Sequence, residues 1–214
     1  MASEIKQGTL ELVNHLPILQ VITPMLIAPI LVVLNNKTLS WLLSFLGALA
    51  CLFISILLMQ TVSDGSILTY YLGGWVPPIG IEYRIDAANA ILLFLISIIS
   101  AIVLIFSYSS LHAEIPEEKH TLFYSCFLLC LTGLLGVVAT ADIFNVFVFL
   151  EISSLSTYVL VAQGAYLDRR ALSASFNYLI MGTIGATFFV IGIGYIYMAT
   201  GSLNMMDIAE RVSQ

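Results

Sequence analysis

Six apolar stretches, each long enough to cross a lipid bilayer, constrain this chain more than any other feature of its sequence. They are about Pro17–Leu34, Thr38–Val62, Ala87–Ser110, Thr121–Thr140, Ile143–Ala165 and Ala171–Thr200. A helix needs about 20 apolar residues to span the ~30 Å hydrocarbon core of a membrane. The stretches therefore predict an all-α integral membrane protein with about six transmembrane helices.

The composition also indicates that this chain is surrounded by a lipid bilayer. Hydrophobic residues make up 60% of the chain and charged residues 9%, whereas a soluble domain carries about 25% charged residues. The net charge is −6, which offers no basic surface for nucleic acid. The cysteines Cys51, Cys126 and Cys130 lie in apolar runs without a completing histidine, so we expect packing residues, no metal site and no cofactor.

The loops indicate how the helices are connected and oriented. Ile67–Asp86 alternates apolar and polar residues on both sides of glycines and prolines, which predicts a short β-hairpin between the second and third helices. Only Thr140–Asp142 separates the fourth and fifth helices, so these two are antiparallel neighbours. The positive-inside rule favours external termini by a narrow margin. One end of the bundle would carry Lys37, Lys119, Arg169 and Arg170, and the other Lys6, Arg84 and Arg211.

Glu151 is the one acidic residue that lies deep inside an apolar stretch. It follows Asp142 by nine residues, or about 13 Å of helix, and a charge at that depth must face protein or water. Ser154 and Tyr158 follow on the same helix face. This pattern indicates a proton relay, and the alternative is a protonated glutamate that joins two helices by a hydrogen bond.

Other polar and small residues have simpler interpretations. Asp142 is predicted to cap the fifth helix, with a role at a channel mouth as the alternative. No lysine or arginine lies within the six stretches, so either Glu151 is largely protonated or its cation comes from another polypeptide. Close helix packing is predicted at the small residues Gly133, Gly136, Gly182, Gly185 and Ala186.

The stretch Ala141–Ala165 resembles the fourth-to-fifth helix segment of the antiporter-like subunits. These subunits occur in multisubunit Mrp-type cation/proton antiporters, in respiratory complex I and in membrane-bound hydrogenases. Three more stretches agree in order, namely His15–Leu34, Leu72–Ala90 and Ser175–Met205. The resemblance covers nearly the whole chain. It is strongest to the D-type subunit of the Mrp-type antiporter, with the N-type subunit of complex I next.

The resemblance implies that Glu151 belongs to the proton-transfer machinery and that the termini are external. It implies that residues 1–214 form a single membrane domain, equivalent to the N-terminal part of a subunit of about fourteen helices built as inverted repeats. Family members often carry a lysine in the sixth helix, where this chain has Asn177. The partner lysine of the seventh helix would have to come from elsewhere.

We therefore expect a proton-translocating, antiporter-like subunit, or a split half or fragment of one. It would belong to a multisubunit monovalent cation/proton antiporter of a bacterial or archaeal cytoplasmic membrane, with Na⁺ as counter-ion. Its partners would be other membrane subunits, one of which supplies the missing helices and lysine. The alternatives are a proton-pumping subunit of an NADH-quinone oxidoreductase or hydrogenase, whose redox sites lie in other chains, and an inert scaffold or truncated remnant.

Overall fold

The computed structural model describes residues 14–213, and its long helices lie where the hydropathy predicts them. They are α1 (Leu16–Leu34), α2 (Lys37–Thr61), α3 (Ala87–Glu114), α4 (His120–Ala139), α5 (Ile143–Gln163) and α6 (Arg170–Thr200). All six are long and apolar enough to cross a membrane. The predicted all-α membrane fold is confirmed, while Lys6 lies outside the described residues.

Two short strands, one short α-helix and three single-turn 3-10 helices, at Leu72–Gly74, Glu117–Lys119 and Gly164–Tyr166, complete the described part of the fold. Strands β1 (Leu68–Tyr71) and β2 (Glu82–Ile85) pair antiparallel, which confirms the hairpin predicted between the second and third helices. Helix α7 (Met205–Val212) follows α6 after a turn at Gly201. Side chains cap α2, α3 and α5, because Asn36, Asp86 and Asp142 each accept a hydrogen bond from a backbone amide three residues ahead.

The bundle has a packed centre and an open side. Helix α4 packs against α1, α2, α3 and α5, whereas α6 packs mainly against α5. In α6 only Ile193 is buried among the described residues, and large apolar side chains such as Phe188 and Met198 are exposed. The α5–α6 pair therefore lies at the edge of the bundle.

Contacts between loops show that the helices alternate in direction. At one end, Lys37 forms an ion pair with Glu117, which joins the α1–α2 and α3–α4 connections. At the other end, the Ala141 amide donates to the Glu82 carbonyl, and the Met205 amide donates to the Ala141 carbonyl, both at 2.8 Å. The hairpin, the α4–α5 turn and the α6–α7 turn thus form one interlocked layer, which fixes where α5 begins.

Candidate functional site

Glu151 lies in the middle of α5, half-buried in the groove between α5 and α6. It lines two cavities of about 280 and 310 Å³. The first cavity reaches Ser154 and Met181, toward the end of the bundle that carries Arg170. The second reaches Val190 and Ile191, toward the end that carries Asp142. Both cavities share Phe147 and Ala186 and extend over nearly the same length of α6, so the carboxyl group has a cavity on each flank of the contact between α5 and α6.

The carboxyl group of Glu151 has no polar partner within the part of the chain that the structure describes. It takes part in no hydrogen bond or ion pair with residues 14–213, and neither cavity is lined by a lysine, arginine or histidine. Charged groups at this depth are costly unless water or an opposite charge meets them. Among the described residues, the carboxyl group of Glu151 therefore meets only the open space of the two cavities.

The structure places the other three predicted site residues at different distances from this carboxyl group. Ser154 lines the first cavity together with Glu151. Tyr158 is buried one turn further along α5, and its ring makes an edge contact with Tyr178 at 5.1 Å between centroids. Asn177 is exposed on α6 and lines neither cavity. Glu151 and Ser154 thus lie together, with Tyr158 beside them and Asn177 apart.

Small residues determine how closely the neighbouring helices approach α5. A side chain at Gly133 of α4 would meet the Phe149 carbonyl oxygen and the Ser153 amide nitrogen at 2.6 Å. At Gly182 of α6, a methyl group would overlap the Tyr158 hydroxyl. Close packing is confirmed at both positions, whereas Gly185 has no atom within 4 Å of the place a side chain would take. This space beside Gly185 belongs to the first cavity.

Two threonines of α6 belong to the site and were missed in the sequence. Thr183 and Thr187 line the second cavity with Glu151. Each donates its hydroxyl hydrogen to the carbonyl four residues earlier at 2.8 Å, which leaves the oxygen free to accept. Their spacing of four residues places them on one face of α6, which the sequence shows, but only the packing of α6 against α5 brings that face to the half-buried Glu151.

The end of the groove at Asp142 is polar and well ordered. Asp142 accepts from the Asn145 amide at 2.7 Å, and the Asn145 side chain donates to Thr140 at 3.0 Å. The predicted capping role is thereby confirmed. Burial raises the pKa of the Asp142 carboxyl group above its ordinary value of 3.8, although backbone amides of α5 act in the opposite direction.

Known proteins are similar to this chain in sequence and in fold. Residues 140–214 match the family model Proton_antipo_M, described as NADH:quinone oxidoreductase/Mrp antiporter, TM. The chain is 41% identical over 198 residues to NADH-quinone oxidoreductase subunit N of Desulforudis audaxviator, a match that covers 91% of this chain and 39% of the relative. It is 30% identical over 202 residues to the D-type subunit of the Na(+)/H(+) antiporter of Alkalihalophilus pseudofirmus, where the match covers 94% and 40%.

Solved structures agree with these similarities. A chain of the membrane-bound sulfane sulfur reductase, an archaeal respiratory membrane complex, matches with a TM-score of 0.80 at 32% identity, over 93% of this chain and 39% of that one. A chain of the Mrp complex from Dietzia sp. DQ12-45-1b matches with a TM-score of 0.79 at 21% identity, over 94% and 39%, which shows a shared fold.

This chain spans about two fifths of the length of these relatives. The resemblance predicted from the sequence is confirmed, because the match to the family model includes the whole of α5 and α6, where Glu151 and its two cavities lie. The chain is thus homologous to the antiporter-like membrane subunits of the Mrp antiporter and NADH-quinone oxidoreductase family.

Proposed function

We propose that this chain forms part of a proton-translocating, antiporter-like subunit of a multisubunit monovalent cation/proton antiporter, in which Glu151 relays protons near the middle of the membrane. One observation carries the proposal. A carboxyl group without a partner among the described residues lies at mid-depth, with a cavity on each side of it. Neither a lipid-facing helix nor a tightly packed one needs such an arrangement.

The geometry suits transfer of protons through water. A molecule of liquid water occupies about 30 Å³, so each cavity has room for several. Ser154 offers a hydroxyl group on one side of Glu151, and Thr183 and Thr187 offer acceptor oxygens on the other. The proton would enter one cavity, protonate the carboxyl group, and leave through the other.

A cation from outside these residues would control the relay. A lysine approaching Glu151 favours the ionised carboxylate, and its withdrawal favours the protonated acid. The lysine would belong to a further membrane segment, whether in a continuation of the polypeptide or in a partner subunit. The open side of α6 offers a surface for such a segment. The exchanged ion would be Na⁺, in a bacterial or archaeal cytoplasmic membrane with external termini.

Transport by the assembled complex tests this proposal. We expect Glu151→Gln to abolish Na⁺/H⁺ exchange in inverted membrane vesicles, because the amide cannot take up and release a proton. Glu118→Gln is the matched control, since Glu118 is exposed in the α3–α4 connection and lines neither cavity. Full exchange by the Glu151→Gln complex would support the scaffold alternative instead.

A second candidate is a proton-pumping membrane subunit of an NADH-quinone oxidoreductase. The observation in its favour is the identity of 41% to the oxidoreductase subunit, compared with 30% to the antiporter subunit. The relay chemistry of Glu151 would be the same, but its energy source would be a redox reaction in other subunits. Copurification of peripheral subunits that carry flavin or iron–sulfur clusters would distinguish this candidate from the antiporter.

A further inference from the structure

Phe149 lies on the side of α5 that faces away from Glu151. It precedes Glu151 by two residues, and in a helix of about 3.6 residues per turn that spacing turns the two side chains about 160° apart. Phe149 is buried, with 7% of it exposed, and it lines neither cavity of the site. Ser153, two residues after Glu151, lies on the same rear side of α5. The contacts of this rear side therefore determine where the carboxyl group of Glu151 points.

Two glycines of α4 hold the rear side of α5. A methyl group at Gly136 would lie 2.3, 2.4 and 2.5 Å from three ring carbons of Phe149, so the ring lies directly against the backbone of α4. At Gly133, about one turn earlier, a methyl group would meet the Phe149 carbonyl oxygen and the Ser153 amide nitrogen, both at 2.6 Å. The two helices thus fit together at one rotation of α5 about its axis. A turn of α5 in either direction would press the ring into α4 or leave a gap above Gly136.

Tyr83 of strand β2 packs against Phe149 from the hairpin. Its side chain is buried, with 2% of it exposed, and the two rings are tilted by 59° with their centroids 6.4 Å apart, within the favourable range of about 4.5–7 Å for aromatic pairs. The backbone of Tyr83 pairs with Thr140 in the α4–α5 turn. Burial raises the pKa of the Tyr83 phenol to about 12, and the neighbouring Asn145 side chain of α5 acts in the opposite direction. The hairpin therefore contacts α5 through one uncharged, buried ring.

We propose that Tyr83 and Phe149 are positioning residues for Glu151. The Tyr83 ring holds the Phe149 ring on Gly136, and this contact sets the rotation of α5 that directs the carboxyl group of Glu151 into the groove beside α6. A rotated α5 would turn the carboxyl group away from both cavities. The hairpin at the end of the bundle is thereby coupled to a carboxyl group at mid-depth. The effect on transport rests on the proton relay proposed above, whereas the effect on the position of Glu151 does not.

Carbodiimide labelling measures where the carboxyl group of Glu151 points. Dicyclohexylcarbodiimide reacts with protonated carboxyl groups that it can reach in apolar surroundings. The full chain, purified in mild detergent with any subunits that accompany it, is treated with this reagent, and mass spectrometry quantifies the modification at residue 151. We expect labelling of the wild-type chain, because Glu151 lines two open cavities. The readout needs no transport, so it reports the position of the carboxyl group even if Glu151 relays no protons.

Variants of the hairpin test the contribution of Tyr83. Tyr83→Ala should lower the labelling of Glu151 severalfold, and it should lower Na⁺/H⁺ exchange by up to about 100-fold, as small misplacements of a reacting group can. Tyr83→Phe keeps the ring and should keep both near the wild-type values. Tyr70→Ala is the matched control, because Tyr70 pairs with Tyr83 across the hairpin but its ring contacts His15 instead of α5. Tyr83→Leu replaces Tyr83→Ala if the alanine variant does not fold.

A compensating pair tests the contact between Phe149 and Gly136. The methyl group of Gly136→Ala would displace the Phe149 ring, so this variant should lose labelling and exchange. Adding Phe149→Leu removes the ring carbons that the methyl group would meet, and it should recover most of both. Each single variant should destabilise the fold, so recovery in the double variant separates the position of Glu151 from a general loss of stability.

Several results would overturn the proposal. These are a wild-type Glu151 that the reagent does not label, equal labelling of wild type and folded Tyr83→Ala, and a loss in Tyr70→Ala as large as that in Tyr83→Ala. A double variant that recovers no labelling would overturn it as well. Labelling that falls in Tyr83→Ala while Na⁺/H⁺ exchange is unchanged would support the positioning of Glu151 and contradict the relay, so the two proposals can fail separately.

Discussion

The packing of α4 against α5 depends on Gly133, and Gly133→Ala should measurably weaken it. The added methyl carbon would lie 2.6 Å from two backbone atoms of α5, the Phe149 carbonyl oxygen and the Ser153 amide nitrogen. Favourable contacts between non-bonded heavy atoms lie at about 3.5–4.0 Å, so α5 must move away by about 1 Å. Backbone atoms cannot avoid the methyl group by changing a rotamer.

The expected cost follows from this overlap. Overpacking in a close-packed interior costs about 1–3 kcal/mol, whereas alanine gains about 1 kcal/mol over glycine in intrinsic helix propensity. Gly194→Ala is the matched control, because nothing lies within 4 Å of the place its methyl group would take. The difference in unfolding free energy between the two variants isolates the packing cost, which should be about 1–3 kcal/mol.

Unfolding of the isolated chain in detergent, followed by circular dichroism, measures this difference. Gly133→Ala should unfold before Gly194→Ala. The same displacement would move Ser153 and the neighbouring Glu151, so transport should fall in Gly133→Ala even where the complex assembles. Equal stability of the two variants would refute the close approach of α4 and α5.

Two further predictions concern the groove and its polar end. Gly182→Ala should destabilise the α5–α6 pair because its methyl group overlaps the Tyr158 hydroxyl. Adding Tyr158→Phe should recover most of the loss in a melting experiment, and a double variant no more stable than Gly182→Ala alone would contradict this contact. The pKa of Asp142 is raised in the folded protein, so the folded protein binds a proton at this carboxyl group more tightly than the unfolded chain does. The free energy of unfolding should therefore fall as pH rises from 3.8 through the raised pKa. Asp142→Asn keeps a capping side chain and should remove this dependence of the unfolding free energy on pH, which unfolding measured at several pH values would show. An unchanged dependence on pH in Asp142→Asn would mean that another group causes it.

Hydropathy predicted the six spans well because the bilayer determines both their length and their composition. The helix ends were harder to predict. Helix α3 continues past Ser110 to Glu114, because its backbone hydrogen bonds persist after the sequence turns polar and end just before Pro116. The hairpin and the Asp142 cap were predictable because both depend on local sequence.

The candidate site was predictable only in part. The depth of Glu151 follows from its position in one helix, and so does its shared face with Ser154. Which face of α6 meets Glu151 depends on how two helices pack, and all sides of α6 are similarly apolar. The sequence therefore missed Thr183 and Thr187, and it could not show that Asn177 lies outside both cavities. The roles of these side chains in transport stay predictions.

The protonation state of Glu151 during transport tests the relay most directly. Infrared difference spectroscopy on the assembled complex, compared between resting and transporting conditions, reports the carbonyl band of a protonated carboxyl group. Glu151→Gln assigns the band. The proposed relay predicts a band that changes with transport and is lost in Glu151→Gln. A Glu151 band that stays constant while ions are exchanged would contradict it, because a relay must bind and release its proton.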